Sequence, residues 1–470
     1  MALVLQNING LGDSKWSGIA GAVAECVGLD IHSTPGITKA RQKLTKESGS
    51  TVTEFVKVAV AASNGYSFWF SADSGKIWAR NSSGSWSLAY TTSAAAGESK
   101  CLGAMEYNGY VYWATQSRLH RAAIANADDS WGTVDLNWAT FTVTDSSFHP
   151  MAIQDLTLFV GDGNQVAEVS DAGVFSANVL DINTPLRISA MIAYNIDLLI
   201  GTYVADTVNR TELIRWDTVS SSWNTTDPIE EQGINAFIRD DNYVYVNAGK
   251  AGNLYFYNGE QLVPFKRIPG TYSTTQTAKV HAGSVANYQG VPVFGFSNIT
   301  GNPAKQGVYS FGSYSRDYQK VLDLSWVISA DVTSSAEVGA ILALDMDLCV
   351  AWKSGSSYGV DKVDVSNKYA SAYFETMMLF QESRHIQKAL AGVRVLYSSL
   401  PSGTGFTVSY SANGSTYVAI DDVDDTIFKR IMADLSVDDI GSLQIKVGFD
   451  VSGNDAPAME GLEVILEGEQ

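Results

Sequence analysis

Val58-Ala59-Val60-Ala61-Ala62, Asn64-Gly65, Tyr66-Ser67-Phe68-Trp69-Phe70, Lys76-Ile77-Trp78-Ala79-Arg80, Ser83-Gly84 and Ser85-Trp86-Ser87-Leu88 follow one another along the chain, and their order decides the fold. A strand of small residues leads through a tight turn to an aromatic-rich strand, then through polar turns to two more. Asn-Gly suits the first turn because a two-residue hairpin of this type needs positive φ at both central positions. The next copy reads Leu102-Gly103-Ala104-Met105, Asn108-Gly109, Tyr110-Val111-Tyr112-Trp113, Arg118-Leu119-His120-Arg121 and Ser130-Trp131. Later copies keep the order with other residues. Their second strands start at Leu156, Asp197, Tyr243, Val291 and Leu348, after small-residue strands such as Ile188-Ser189-Ala190-Met191 and Val338-Gly339-Ala340-Ile341. The third strands include one from Gly307 to Phe311.

The repeat occurs seven times between about residue 54 and about residue 369. Short alternating or solidly apolar runs punctuated by Asn, Asp, Ser and Gly are strands, not helices. An antiparallel unit of roughly 40 to 50 residues cannot bury both faces alone, so copies must pack around an axis. The predicted fold class is all-β: a β-propeller of about seven blades, six to eight possible. The innermost strands crowd at the axis, which accounts for their Ala, Gly and Ser. A long β-sandwich or β-solenoid is the alternative reading.

Composition agrees. There are 41 glycines, 11% aromatic and only 17% charged residues, a profile of strands and turns. Cys26, Cys101 and Cys349 are odd in number and widely spaced, so buried free thiols are expected rather than a disulfide framework or zinc site. The net charge of −19 argues against nucleic acid as a binding partner, because affinity for DNA comes largely from Lys and Arg, though DNA passing nearby is compatible with it. Met1-Ala2-Leu3-Val4-Leu5 lacks a basic region and reads as no signal peptide, and no apolar run reaches the roughly 18 residues of a membrane span. Sequons such as Asn209-Arg210-Thr211 read as chance.

The flanks differ from the repeat. Residues 1–53 read as an extended N-terminal arm, residues 54–369 as the propeller, and residues 370–470 as a C-terminal β-sandwich of short strands. Lys39, Arg41, Lys43 and Lys46 gather in an otherwise acidic chain. They read either as a docking arm for an acidic neighbour or as a lysine-protected edge strand.

Ser71-Ala72-Asp73-Ser74-Gly75-Lys76-Ile77-Trp78 matches the Asp-box pattern of carbohydrate-active propellers. The expected role of Ser71, Asp73, Gly75 and Trp78 is structural: Asp and Ser side chains bond backbone groups of the turn, and Trp packs between strands. Phe265-Lys266-Arg267-Ile268-Pro269 partly matches a sialidase arginine motif but sits mid-chain. The acidic runs Asp421-Asp422-Val423-Asp424-Asp425 and Asp438-Asp439 read as solvated turns. His32, His120, His149, His281 and His385 are scattered without metal-ligand spacing, and no nucleophile elbow or Walker loop is present. No catalytic residue, metal or cofactor is assigned, and the chain is expected not to be an enzyme.

Gly28-Leu29-Asp30-Ile31-His32-Ser33-Thr34-Pro35-Gly36, the degenerate propeller, and a closing domain that begins Tyr373-Phe374-Glu375-Thr376 and ends Leu462-Glu463-Val464-Ile465-Leu466-Glu467-Gly468 resemble β-propeller structural proteins of tailed-bacteriophage tails and necks. The resemblance implies a multi-copy virion component assembled in the host cytoplasm, with copies of itself and other tail or neck proteins as partners and no membrane. It carries over no active-site residues. A receptor- or glycan-binding propeller at the distal tail, with a host glycan as ligand, is the second expectation. A glycan hydrolase, sialidase-like or depolymerase, is the third.

Overall fold

In the computed structural model the described residues are 2–6, 8–12, 20–34, 36–92, 99–205, 209–240, 243–267, 278–297, 299, 305–313, 320–330, 336–380, 388–420, 423–425 and 430–468. They divide into two units: Lys46–Gln306 with Ala330–Lys362, and Met1–Thr45 with Gly307–Ser329 and Val363–Gln470.

The first unit is the propeller. Blade one pairs Val56–Ala61, Ser67–Ser71, Lys76–Arg80 and Trp86–Thr91 in antiparallel order. Blade two pairs Gly103–Tyr107, Tyr110–Ala114, Arg118–Ala123 and Asp135–Thr140, and blade three pairs Met151–Gln154, Thr157–Asp162, Gln165–Val169 and Phe175–Asp181. Blade four is Leu186–Tyr194, Asp197–Val204, Thr211–Trp216 and Thr225–Ile229, and blade five is Ile234–Asp240, Tyr243–Ala248, Asn253–Tyr257 and Leu262–Arg267. Blade six enters this unit as the hairpin Val285–Tyr288 and Val291–Phe296. Blade seven begins Glu337–Leu344, Asp347–Ser354 and Ser357–Lys368. Each innermost strand touches the innermost strand of the next blade, and the seventh touches the first, so the ring of seven is closed. At the seam, Glu47 donates its N–H to Val360 O (3.0 Å) and the Ser48 hydroxyl accepts from Val360 N–H (2.9 Å).

The small residues at the axis have a steric cause. A Cβ on Gly103 would lie 1.8 Å from His149 O, and one on Gly339 would lie 2.0 Å from Val56 O. Bulky aromatics lie between blades: Trp69 and Trp78 of blade one pack with Ala340, Cys349 and Ala351 of blade seven. All three cysteines are buried and free.

The second unit corrects the expectation of an extended arm. Ala2–Leu5 is the edge of a sheet that continues through Ala458–Gly468, Lys388–Ser399, Arg430–Ile440 and Val423–Asp425. Val23–Val27 lies between Val321–Trp326 and Ala372–Thr376, followed in order by Ser442–Asp450, Gly405–Ala412 and Val418–Ile420. The reason is burial: Val23, Cys26 and Val27 are apolar and almost fully covered, which an arm in water would forfeit. Tyr397 of the first sheet meets Phe406 of the second, ring centroids 6.1 Å apart. The borders at 45/46 and 362/363, with Gly307–Ser329 in the second unit, differ from those read at 53/54 and 369/370. Residues 307–311, read as a third strand, do form one, Gly307–Gly312.

Candidate functional site

All inner strands run in the same direction, so the propeller has a leading end, where they begin, and a tip end, where each turns into its second strand. The two ends carry different chemistry.

At the leading end the inner strands of blades one, four and five each hold one residue more than their partner strand: Lys57, Ser189 and Asn235. Blade seven sets Gly339 and Ala340 against a single residue at the same place. Such bulges re-aim a side chain. Only in blade one is that side chain a cation. Lys57 Nζ lies 5.4 Å from the centroid of the buried Phe55 ring, Lys353 Nζ lies 5.9 Å from it, and the His281 ring meets it edge-on at 6.1 Å. His281 Nε2 is 3.1 Å from Glu337 Oε2, and Lys353 Nζ is 3.8 Å from Glu337 Oε1.

Lys279 stands beside this group, its Nζ 6.0 Å from the Phe148 ring, which packs edge-on against Tyr203 at 5.4 Å. Arg187 pairs both its terminal nitrogens with Asp145, at 2.9 and 3.1 Å. Burial lowers the Lys279 ammonium below its ordinary range, and Lys57 lowers it further, against a smaller opposing pull from Glu337. Burial likewise lowers His281, while the bond from His281 holds Glu337 low. Among the described residues no carboxylate lies within 4.0 Å of Lys57 or Lys279.

The Asp-box turn lies at the same end, and its bonding differs from the expectation. The Ser71 hydroxyl accepts from the N–H of Asp73 (3.0 Å) and of Ser74 (2.9 Å) and donates to Glu54 Oε2 (2.6 Å). Ser74 also donates to Glu54, and Lys76 Nζ bonds Glu54 Oε1 at 2.6 Å. The Asp73 side chain is exposed and bonds none of these groups. The acid of the turn is therefore Glu54, which lies outside the motif. Gly75 O accepts from Thr92 N–H (2.8 Å), and Trp78 is buried between blades.

At the tip end, blades one, two and six turn on Asn64-Gly65, Asn108-Gly109 and Gln289-Gly290. Blades three, four and seven place Leu156, Ile196 and Met346 there instead, 71%, 71% and 72% exposed. Tyr243, 45% exposed, opens the second strand of blade five, so blades three to five form an apolar arc. Asp155 and Leu156 both have positive φ, +46° and +59°. For a bulky residue like Leu156 that is a true outlier, costing on the order of 1–2 kcal/mol. Neighbouring blades hold these tips: Tyr107 OH donates to Leu156 O (2.6 Å), Gln154 Nε2 to Asn195 O (3.1 Å), and Tyr288 OH to Met346 O (2.9 Å).

The basic run splits. Arg41 is engaged within the chain, 3.6 Å from Asp30, bonded to Leu29 O at 2.9 Å and over the Trp326 ring at 4.8 Å. Lys46 bonds Tyr358 O at 2.7 Å and lies over the Trp352 ring at 5.2 Å. Lys39 is exposed and Lys43 half-buried.

His32, from the motif of residues 28–36, is buried. Its Nε2 lies 2.7 Å from Asp323 Oδ1 and 3.1 Å from Ser310 Oγ, and Ser325 donates to Asp323 Oδ2 at 2.6 Å. Burial raises the Asp323 carboxyl, but His32, Arg41 and Ser325 together bring it below its ordinary range. Serine and aspartate approach one and the same ring nitrogen, while Nδ1 has no partner, so the two-sided imidazole of a Ser-His-Asp triad is missing here. His120 and His149 are buried at separate places in the blades. Ile268, Pro269, His385, Asp421 and Asp422 lie outside the described residues, as do the side chains of Asp424, Asp425, Asp438 and Asp439.

No protein-family model matches the chain, and no curated protein matches it. Solved structures do. The extracellular domain of a putative one-component system from B. thetaiotaomicron is similar with a TM-score of 0.47 and 14% identity, over 71% of this chain and 41% of that one. The chain thus spans well under two thirds of that protein's length. A streptogramin B lyase has a TM-score of 0.48 and 10% identity, covering 69% of this chain and 98% of its own. A catalytically inactive virginiamycin B lyase from Staphylococcus aureus with quinupristin has a TM-score of 0.49 and 13% identity, covering 69% and 99%. These likenesses concern the fold alone. They still correct one expectation: enzymes are among the similar structures, so the reading that this chain is not an enzyme is withdrawn. Among the described residues no helix is long and apolar enough to cross a membrane.

Proposed function

We propose that the chain is a multi-copy structural component of a tailed-bacteriophage tail or neck, whose propeller docks through its tip end onto a neighbouring virion subunit. The observation that carries this reading is Leu156, a bulky side chain in a left-handed turn, 71% exposed and fixed by Tyr107. Inside the chain Leu156 gives almost no burial in return for its strained backbone. Against a partner it gives a preorganised apolar contact, which associations favour because little entropy is lost on docking. The domain order and the motif of residues 28–36 support the virion setting. The excess of acidic residues suits a wall that DNA passes without adhering.

The test is incorporation. Leu156→Asp combined with Ile196→Asp should leave the fold intact and remove the chain from assembled particles, measured by mass spectrometry of purified virions. Normal incorporation would sink the tip-end docking, and absence of the wild-type chain from particles would sink the virion role. Binding of a host glycan by the isolated chain would favour the distal-tail reading instead.

A further inference from the structure

We propose that the leading end of the propeller binds an anionic group, a phosphate or a carboxylate, between Lys57 and Lys279. The inference is independent of any virion role. Three ammonium groups, Lys57, Lys279 and Lys353, converge there with Glu337 as the facing carboxylate, and Glu337 is already engaged by His281 and Lys353. In a chain of net charge −19, Lys57 and Lys279, both half-buried, face each other with no carboxylate within 4.0 Å among the described residues.

Their placement is built rather than incidental. Lys57 is the inserted residue of a bulge, at the place where other blades carry Ser189, Asn235 or Gly339. The N-terminal side of blade six presses close behind it, a Cβ on Gly283 falling 2.2 Å from Lys57 O. Phe55 beneath and the Phe148–Tyr203 pair to the side leave the ammonium groups partly desolvated, and desolvation strengthens their attraction for an anion. Burial and mutual repulsion already press Lys279 toward losing its proton, and an anion seated between the two lysines would relieve that pressure.

The probes are inorganic phosphate and glucuronate, with glucose as the neutral control, titrated calorimetrically into the full chain at low ionic strength. Binding of phosphate alone assigns a phosphoryl ligand, binding of glucuronate alone assigns an acidic sugar, and binding of both leaves the shared anion chemistry. Glucose should not bind. Lys57→Met and Lys279→Met, which keep the apolar stems, should each weaken the anion about tenfold or more. Each should also raise the unfolding temperature of the ligand-free protein, because one of two repelling charges is gone. A lysine with a purely structural role would lower that temperature when replaced. The proposal is overturned if neither anion binds, or if binding survives undiminished in both variants.

Discussion

At the leading end of the propeller, Lys57 and Lys353 lie by the buried Phe55 ring, Glu337 is held by Lys353 and His281, and Lys279 stands against Phe148; at the tip end, Leu156, Ile196 and Met346 stand in water on hairpins tied down by their neighbours. Both ends contain side chains whose cost is not offset within the chain. The kind of cost differs. Lys57 and Lys279 carry unneutralised charge, which a small anion can answer, whereas Leu156 carries exposed apolar surface on a strained backbone, which only another macromolecular surface can cover. The difference separates a ligand site from a docking site on one ring of similar blades.

Breaking the frame common to both ends should have the largest effect. Gly339→Ala drives a Cβ into Val56 O at the axis and should cost about 3 kcal/mol in equilibrium denaturation, the upper range for overpacking. A variant as stable as wild type would mean the inner strands can move apart. Next comes the blade-one turn at the leading end. Glu54→Ala removes the acceptor of Ser71, Ser74 and Lys76 and should cost about 1–3 kcal/mol, while Asp73→Ala should stay within about 0.5 kcal/mol. Equal losses would restore Asp73 to the role the motif suggests.

Acid titration sharpens the same point. Burial pushes Glu54 up, but bonds from Lys76, Ser71 and Ser74 outweigh it and hold its carboxyl below the ordinary 4.5. Its contribution is therefore complete above pH 4.5 and is lost as pH falls through the folded-state value. Glu54→Gln should show a smaller loss of stability across that window than wild type. Parallel acid curves would place the loss in other carboxylates.

The blades are legible in the sequence because alternation and turn residues are local signals, and seven copies give seven chances to find them. Glu54 is not, since it lies before its motif and reaches it only through folding of the loop. Lys57 lies just ahead of the strand read from Val58 to Ala62, and the bulge that redirects it exists only in the pairing with Ser67–Ser71. Leu156 reads as the first residue of a strand, whereas the strand is Thr157–Asp162 and Leu156 is the turn. The turn is hidden because it lacks the glycine that marks the turns of blades one, two and six. Residues 1–53 read as an arm because Ala2–Leu5 finds its partner at residues 462–465, a pairing with no local trace.

The most direct measurement is the unfolding free energy of Leu156→Gly. Glycine adopts φ near +59° without strain and Leu156 buries little, so the account predicts a gain of about 0.5–1 kcal/mol over wild type. A loss of stability would mean that Leu156 serves the fold of its own chain, and would contradict its assignment to a partner.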